Sequence, residues 1–200
     1  MDPVKRNILE VALAEFAHYG FKGTRIESIA EGTHTSKRMI YYHFGSKERL
    51  YAEVLEFSYR IVREGQALEA LDAKPPMEAL LDYVSYAFIN FNKHPDFIRL
   101  TLQENLSGAR YLQQSPAIVQ LNQASFAVLR RIIERGQAEG SMRQDIDPMN
   151  VYINYIGLCH YHISSRANYR VLFDYDNTRP EHMQSRLEAI RDSVVRYVRP

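Results

Sequence analysis

Apolar positions recur at steps of three and four along nearly the whole chain, and no stretch alternates as a half-buried strand would. That periodicity predicts an all-helical protein. Leu9, Ala12, Leu13 and Phe16 make one stripe of a first helix, with Gly20 placed to end it. Thr24-Arg25-Ile26-Glu27 has the spacing of a capping box and opens a second helix whose inward residues are Ile26, Ile29 and Ala30. That helix stops near Gly32, and Thr35 or Ser36 can cap a third. Gly45-Ser46 ends the third, and Ser46 caps the fourth. Three short helices with tight turns read as a helix-turn-helix unit.

The fourth helix is expected to run over 47–72, with Leu50, Val54, Phe57, Ile61 and Leu68 in one stripe until Lys74-Pro75-Pro76 breaks it. The domain boundary is expected along it, with residues 1–50 as the helix-turn-helix domain and 51–200 as a larger helical domain. Further stripes follow: Met77, Leu80, Leu81, Val84, Phe88 and Phe91, then a helix from about Asp96 to Leu106, then Ile118, Leu121, Ser125, Val128 and Ile132. Asp147-Pro148 caps Val151–Arg166, which is apolar almost all round and must therefore be covered on all sides. The last helix repeats Met183, Leu187, Ile190, Val194 and Tyr197 at alternating steps of four and three, a coiled-coil-like seam. One chain of 200 residues has too little material to cover both helices, so they are expected to pair with their copies in a twofold four-helix interface. Gly157 would allow close approach there, while the alternative is the central helix of a monomeric bundle.

Thr33–Lys47 breaks the pattern, because its apolar face is very small. On a helix, Ile40 and Phe44 point inward, Arg38 and Tyr42 lie roughly opposite, and Lys37, Tyr41 and His43 flank them. Every outward residue can donate a hydrogen bond to a phosphate or a base edge. A charge run is usually just a solvated face, but two adjacent tyrosines on such a face are unusual. We read this helix as one that enters a DNA groove. Arg38 can read guanine in two prongs, Thr35 and Ser36 can reach a phosphate or a base, and Arg25 is a further phosphate candidate.

Composition changes this picture little. The net charge of +1 advertises no global field for nucleic acid, and residues 1–50 hold eight Lys/Arg against six Asp/Glu, so placement carries the case. No apolar run approaches the roughly 20 residues that span a bilayer. The start has no signal-peptide core, so a cytoplasmic protein is expected. Cys159 sits among apolar neighbours and reads as a buried, inert thiol.

Arg6, Leu9, Ala12, Phe16, Gly20, Gly23-Thr24, Ile29-Ala30, Ser36-Lys37, Tyr41, Phe44, Ser46-Lys47-Glu48 and Leu50 together resemble the TetR family of bacterial transcriptional regulators. The resemblance implies a homodimer that binds a palindromic operator, usually represses, and is released by a small molecule in the C-terminal domain. It also implies that Tyr41 and Lys47 grip phosphates. The stretch His94-Pro95, Arg99, Glu104, Gly108 with Ile146-Asp147-Pro148 is loosely similar to the ligand domain of the uracil-responsive branch. One departure stands out: where the family reads Ala-Gly-Val before the serine, this chain has Thr33-His34-Thr35. Either the turn is slightly reshaped, or His34 and Thr35 add polar contacts.

Polar residues among the later apolar stripes mark an effector site: Tyr86, Asn90, Arg99, Gln103, Asn154, His160 and Tyr161, with Phe88, Phe91, Phe97 and Phe126 as walls. Each can equally be a satisfied core or interface group. Arg99 would suit a carboxylate, so a small planar aromatic or heteroaromatic ligand, or an acid of that kind, is expected. The alternative is an activator, or a regulator under a protein partner without any ligand. An enzyme is disfavoured: His160-x-His162 points about 200° apart on a helix, and there is no H-E-x-x-H, Gly-rich phosphate loop or Gly-x-Ser-x-Gly. No catalytic residue, metal or cofactor is expected.

Overall fold

The computed structural model describes residues 1–64 and 68–200, and among these every regular element is helical. The α-helices are α1 (Pro3–Gly23), α2 (Ile26–Gly32), α3 (Lys37–Phe44), α4 (Lys47–Ile61), α5 (Pro76–Lys93), α6 (Pro95–Leu106), α7 (Pro116–Ala138), α8 (Pro148–Ser164), α9 (Arg166–Phe173) and α10 (Pro180–Val198). They fall into two compact units, Met1–Glu64 with His94–Leu121, and Gly65–Lys93 with Asn122–Pro200.

In the first unit α1 packs on α2, α4 and α6, and α3 is held between α2 and α4. The core is the predicted stripes brought together: Leu9, Ala12 and Phe16 of α1, Ile26 and Ile29 of α2, Ile40 and Phe44 of α3, Leu50 and Val54 of α4, with Leu100 of α6. Ser36 caps α3 by accepting from the Met39 amide at 3.2 Å, and Ser46 caps α4 from the Arg49 amide at 3.2 Å. Gly45, at φ 75°, makes the left-handed turn between them.

The α2–α3 turn is a Schellman closure. The Thr35 amide reaches the Ala30 carbonyl at 3.0 Å and the His34 amide the Glu31 carbonyl at 3.2 Å. His34 therefore occupies the position where glycine is favoured, at φ 52°. The turn keeps its left-handed geometry with a side chain on it, at a cost on the order of 1 kcal/mol.

The capping box does not form. Arg25 is the N-cap of α2 and makes no side-chain cap bond. The Thr24 hydroxyl instead donates to the Glu15 and Gly20 carbonyls at 3.0 and 2.8 Å. Gly20, at φ 71°, kinks α1 and opens carbonyls that the buried Thr24 then satisfies. The fourth helix also ends earlier than expected, at Ile61 rather than 72, in a turn whose amides reach back three residues. A helix-disfavouring glycine follows at 65. Residues 65–67 lie outside the described residues, and Leu68 opens a 3-10 turn, Leu68–Ala73, anchored by Leu71. The compact units also divide the chain differently from the expected boundary at residue 50, because α4 and α6 complete the core of the first unit.

In the second unit α5, α8 and α10 pack on one another. The Tyr83 hydroxyl ties α5 to α7 at 2.8 Å from the Ser125 hydroxyl. Only one face of α8 is covered, through Val151, Tyr155, Cys159, His162 and Ile163. Its continuation to Arg166 is broken at Ser165, and the short α9 beyond was not foreseen. On α10, Ile190 and Val194 of the expected seam are buried inside the unit, so these two positions face their own chain, while Met183, Leu187 and Tyr197 are half-buried. A helix packed on two neighbours turns its best apolar stripe to them first.

Candidate nucleic-acid interface

Helix α3 is held from below by Ile40 and Phe44 alone, so both its flanks and its top reach solvent. Tyr42 is 81 % exposed and Tyr41 46 %, two adjacent rings on the uncovered side of α3. Arg38 is exposed and makes no side-chain hydrogen bond or ion pair among the described residues. These three are the open donors of the predicted face.

The remaining predicted residues are exposed to different degrees. Lys37 pairs with Glu27 of α2, and its ammonium holds that carboxyl below the ordinary value. Lys47 donates to the Thr24 carbonyl at 2.5 Å and sits 4.9 Å from the centre of the Phe21 ring. It thus pins the start of α4 to the end of α1. Ser36 is spent as the α3 cap and Thr35 is half-buried, while Arg25 is exposed at the start of α2. His43 is the weakest member: its side chain is 16 % exposed, 3.8 Å from the Asp2 carboxylate, and wedged between the Tyr42 and Phe44 rings. Its position one residue before the buried Phe44 draws it toward the core.

Glu104 was missed as a structural residue. It is 3 % exposed on the apolar stripe of α6. Its carboxylate accepts from the Tyr51 hydroxyl at 3.1 Å and from the Tyr111 and Leu112 amides at 2.6 and 3.1 Å. Burial, with the Glu104 charge beside it, pushes the Tyr51 hydroxyl well above its ordinary pKa, so Tyr51 stays a donor. A glutamate at the i+4 position from Leu100 was the available signal.

Among the expected effector residues, Phe97, Arg99 and Gln103 belong to the first unit; Tyr86, Asn90, Phe126, Asn154 and His160 belong to the second. Arg99 is half-exposed and its guanidinium pairs with Asp96 one turn away at 2.8 Å. Gln103 donates to the Ala17 carbonyl at 2.9 Å, and Phe97 packs edge-on against Tyr59 at 5.0 Å. Asn154 is exposed on the outer face of α8 with Gly157, in a shallow groove of about 450 Å³ shared with Ser193 and Tyr197 of α10. Within the second unit Asn90 is buried, Phe126 meets Tyr152 edge-on at 5.8 Å, and His160 meets Phe91 at 5.2 Å. Burial lowers His160 to about 4, so its ring is neutral at physiological pH. The Cys159 thiol is buried and pushed up to about 12, which keeps it protonated, as its apolar surroundings implied. Among the described residues no His/Cys/Asp/Glu group could hold a metal, and no helix is long and apolar enough to cross a membrane.

A short capped helix carrying exposed arginine and tyrosines, presented by a compact helical head, defines a helix-turn-helix DNA-binding regulator. Comparison with known proteins agrees. The family model of tetR-family bacterial regulatory proteins matches residues 8–54, and that of a tetracyclin repressor-like C-terminal domain matches 76–194. The chain is 37 % identical to the HTH-type transcriptional repressor NicS of Pseudomonas putida over 165 residues, 82 % of this chain and 78 % of that protein. It is 35 % identical to the HTH-type transcriptional regulator RutR of Escherichia coli over 115 residues, 54 % of this chain and 50 % of the other. Among solved structures, the transcriptional regulator SCO4942 from Streptomyces coelicolor superposes with a TM-score of 0.72 at 26 % identity, over 98 % of this chain and 99 % of that one. The ketosteroid transcriptional regulator KstR2 of Mycobacterium tuberculosis shares the fold, with a TM-score of 0.68 at 21 % identity over 100 % and 97 %. The chain belongs to the TetR family of bacterial transcriptional regulators, DNA-binding proteins that are not enzymes.

Proposed function

We propose that this chain is a homodimeric repressor that grips a two-fold symmetric duplex through α3 and lets go when a small planar aromatic or heteroaromatic ligand binds its second unit. It acts in the cytoplasm, on DNA. The observation that carries this reading is the outer face of α3, where Arg38, Tyr41 and Tyr42 stand exposed on a helix anchored only by Ile40 and Phe44. Arg38 reads a base edge, and Tyr41 and Tyr42 contact the backbone beside it. Arg25, Thr35 and Ser36 flank them, and His43 supports from below. Lys37 and Lys47 reach phosphates only by exchanging the Glu27 carboxylate and the Thr24 carbonyl for them.

The dimer face is the uncovered side of α8, with Ile153, Gly157 and Tyr161, beside Ser193 and the edge of Tyr197 on α10. Gly157 is its low point: a Cβ there would meet nothing within 4 Å in the single chain, which leaves room for a second helix.

Fluorescence anisotropy on a duplex selected by the wild type tests the division of roles. Arg38→Ala should cost about 1–3 kcal/mol of discrimination at one position per half-site. Lys47→Ala should weaken all sequences alike and lower the salt slope by about one. Equal, sequence-blind losses from both variants would remove the reading.

A further inference from the structure

Helix α8 carries a second buried histidine that the spacing of polar residues did not single out as a ligand group. His162 is 3 % exposed and packs against the Phe88 ring at 5.2 Å. Asn177, itself 2 % exposed, donates its side-chain nitrogen to the His162 carbonyl at 2.6 Å, and the same nitrogen lies 3.3 Å from Nδ1. The short contact to a carbonyl requires that this atom be the amide nitrogen, since an oxygen there would face another oxygen. An amide nitrogen only donates, so Nδ1 must accept and the ring proton must sit on Nε2. That Nε2–H is buried and meets no acceptor among the described residues. The Asn177 carbonyl oxygen is buried without a donor beside it as well. Native interiors rarely leave such groups unmet, and a bound molecule or water usually fills the need.

Two guanidiniums are anchored beside this stretch of α8. Arg166 lies four residues after His162, just past the break at Ser165, and donates to the Asn92 side-chain oxygen. Arg186 of α10 donates to the Leu158 carbonyl, one turn before His162, at 3.2 Å. Among the described residues Arg186 has no carboxylate within ion-pair distance. Burial, with both positive charges adding to it, holds the His162 ring neutral. Every group named lies within the second unit.

From this arrangement we infer that His162, Arg166 and Arg186 form the seat for the carboxylate of a small organic acid, which is the effector of this regulator. A carboxylate offers acceptor lone pairs to the Nε2–H and to guanidinium N–H groups, and it neutralises charge that a neutral ligand would leave unbalanced. Phe88 supplies an apolar wall for a flat ring attached to that carboxylate. The inference rests on the reading that the second unit binds a small planar ligand, and it moves the acid-binding role from Arg99 to these three residues.

The test uses the full-length wild type without DNA, so its result stays legible if the operator reading fails. Benzoate, 2-furoate and imidazole-4-carboxylate are compared with their amides and with sodium chloride at equal ionic strength. The acids should raise the thermal midpoint by several degrees at millimolar concentration, and the amides and chloride should not. Nitrogen NMR of the His162 ring should show the Nε2–H tautomer in the free protein and a shift of that proton with the bound acid. Arg186→Met, which keeps the apolar stem, should abolish the acid-dependent rise, and His162→Gln, which keeps a donor near the position of Nε2, should retain part of it. Equal effects of acids and amides, no effect of any acid, an Nδ1–H tautomer, or full acid binding by Arg186→Met would each overturn the assignment. The tautomer measurement needs no variant, so a misfolded mutant does not rescue the claim.

Discussion

The outer faces of α3 and α8 are both uncovered helix surfaces, yet they are built for different partners. On α3 the uncovered side carries Arg38, Tyr41 and Tyr42, rings and cations with hydrogen-bond donors at their tips. On α8 it carries Ile153, Asn154, Gly157 and Tyr161, mostly apolar with a gap at the glycine. Exposed apolar surface around a gap suits a second close-packed helix, whereas exposed donors suit a charged backbone. An uncovered face is therefore not one kind of signal. What it displays decides whether a copy of the chain or a nucleic acid fits it.

The sharpest way to break this comparison is at Gly157. Gly157→Tyr should leave the protomer folded, because the new Cβ meets nothing within 4 Å, but it should fill the gap that a partner helix needs. Dimer dissociation measured by sedimentation should strengthen by roughly 1,000-fold, about 4 kcal/mol. A dimer of unchanged affinity would show that the α8 face is not the interface.

Acid should separate the two units as well. His160 and His162, both in the second, are held near 4, whereas an unfolded histidine titrates near 6.5. Below pH 6.5 the unfolded chain takes up protons that the folded chain refuses, so stability falls as the pH drops from 6.5 toward 4. At pH 5 the loss should be on the order of 1–2 kcal/mol for each histidine. Urea unfolding at pH 7 and pH 5 measures it, and a His160→Gln variant should lose its share of the slope. An unchanged slope in that variant would contradict the burial argument.

A smaller effect is expected in the first unit at His34. His34→Gly removes a side chain from a left-handed position, φ 52°, and should raise stability by about 1 kcal/mol. A strong loss in thermal unfolding would mean that the imidazole makes a contact the fold needs. Smallest of all, Glu27→Gln frees the Lys37 ammonium and removes a negative charge beside the proposed DNA face. Exposed pairs of this kind are worth about 0–1 kcal/mol, so duplex affinity should rise by a few-fold at low salt. Weaker binding would place Lys37 outside the interface.

These contrasts also say what the residues alone reveal. Burial repeats at helical spacing, so the inward sets of the head, Leu9, Ala12 and Phe16 or Ile40 and Phe44, were readable without coordinates. Local caps were readable where the polar group has one available partner, as at Ser36 and Ser46. Thr24 failed because a kink at Gly20, distant in neither sequence nor space, offered its hydroxyl better acceptors than α2 did. Long-range polar pairing was not readable at all: Glu104 with Tyr51, Lys37 with Glu27, Asn177 with His162 each join segments whose contact depends on packing. Two positions of the α10 seam are taken up inside the chain for a related reason. Its repeat identifies an apolar stripe, but Ile190 and Val194 are claimed by α5 and α8 of the same unit before any partner arrives. Arg99 has the chemistry for a carboxylate, and in the fold the carboxylate of Asp96, one turn away, meets it.

The central claim is that two copies of α3, each led by Arg38, read the two halves of a symmetric duplex. Selection of bound duplexes from a fully randomised pool, by the wild type and by Arg38→Ala in parallel, tests it most directly. We expect the wild type to enrich two identical inverted half-sites with centres about 10–10.5 base pairs apart or a multiple of that, and Arg38→Ala to lose preference at one base in each half. Enrichment of no symmetric motif, or of the same motif with undiminished preference by the variant, would contradict the account.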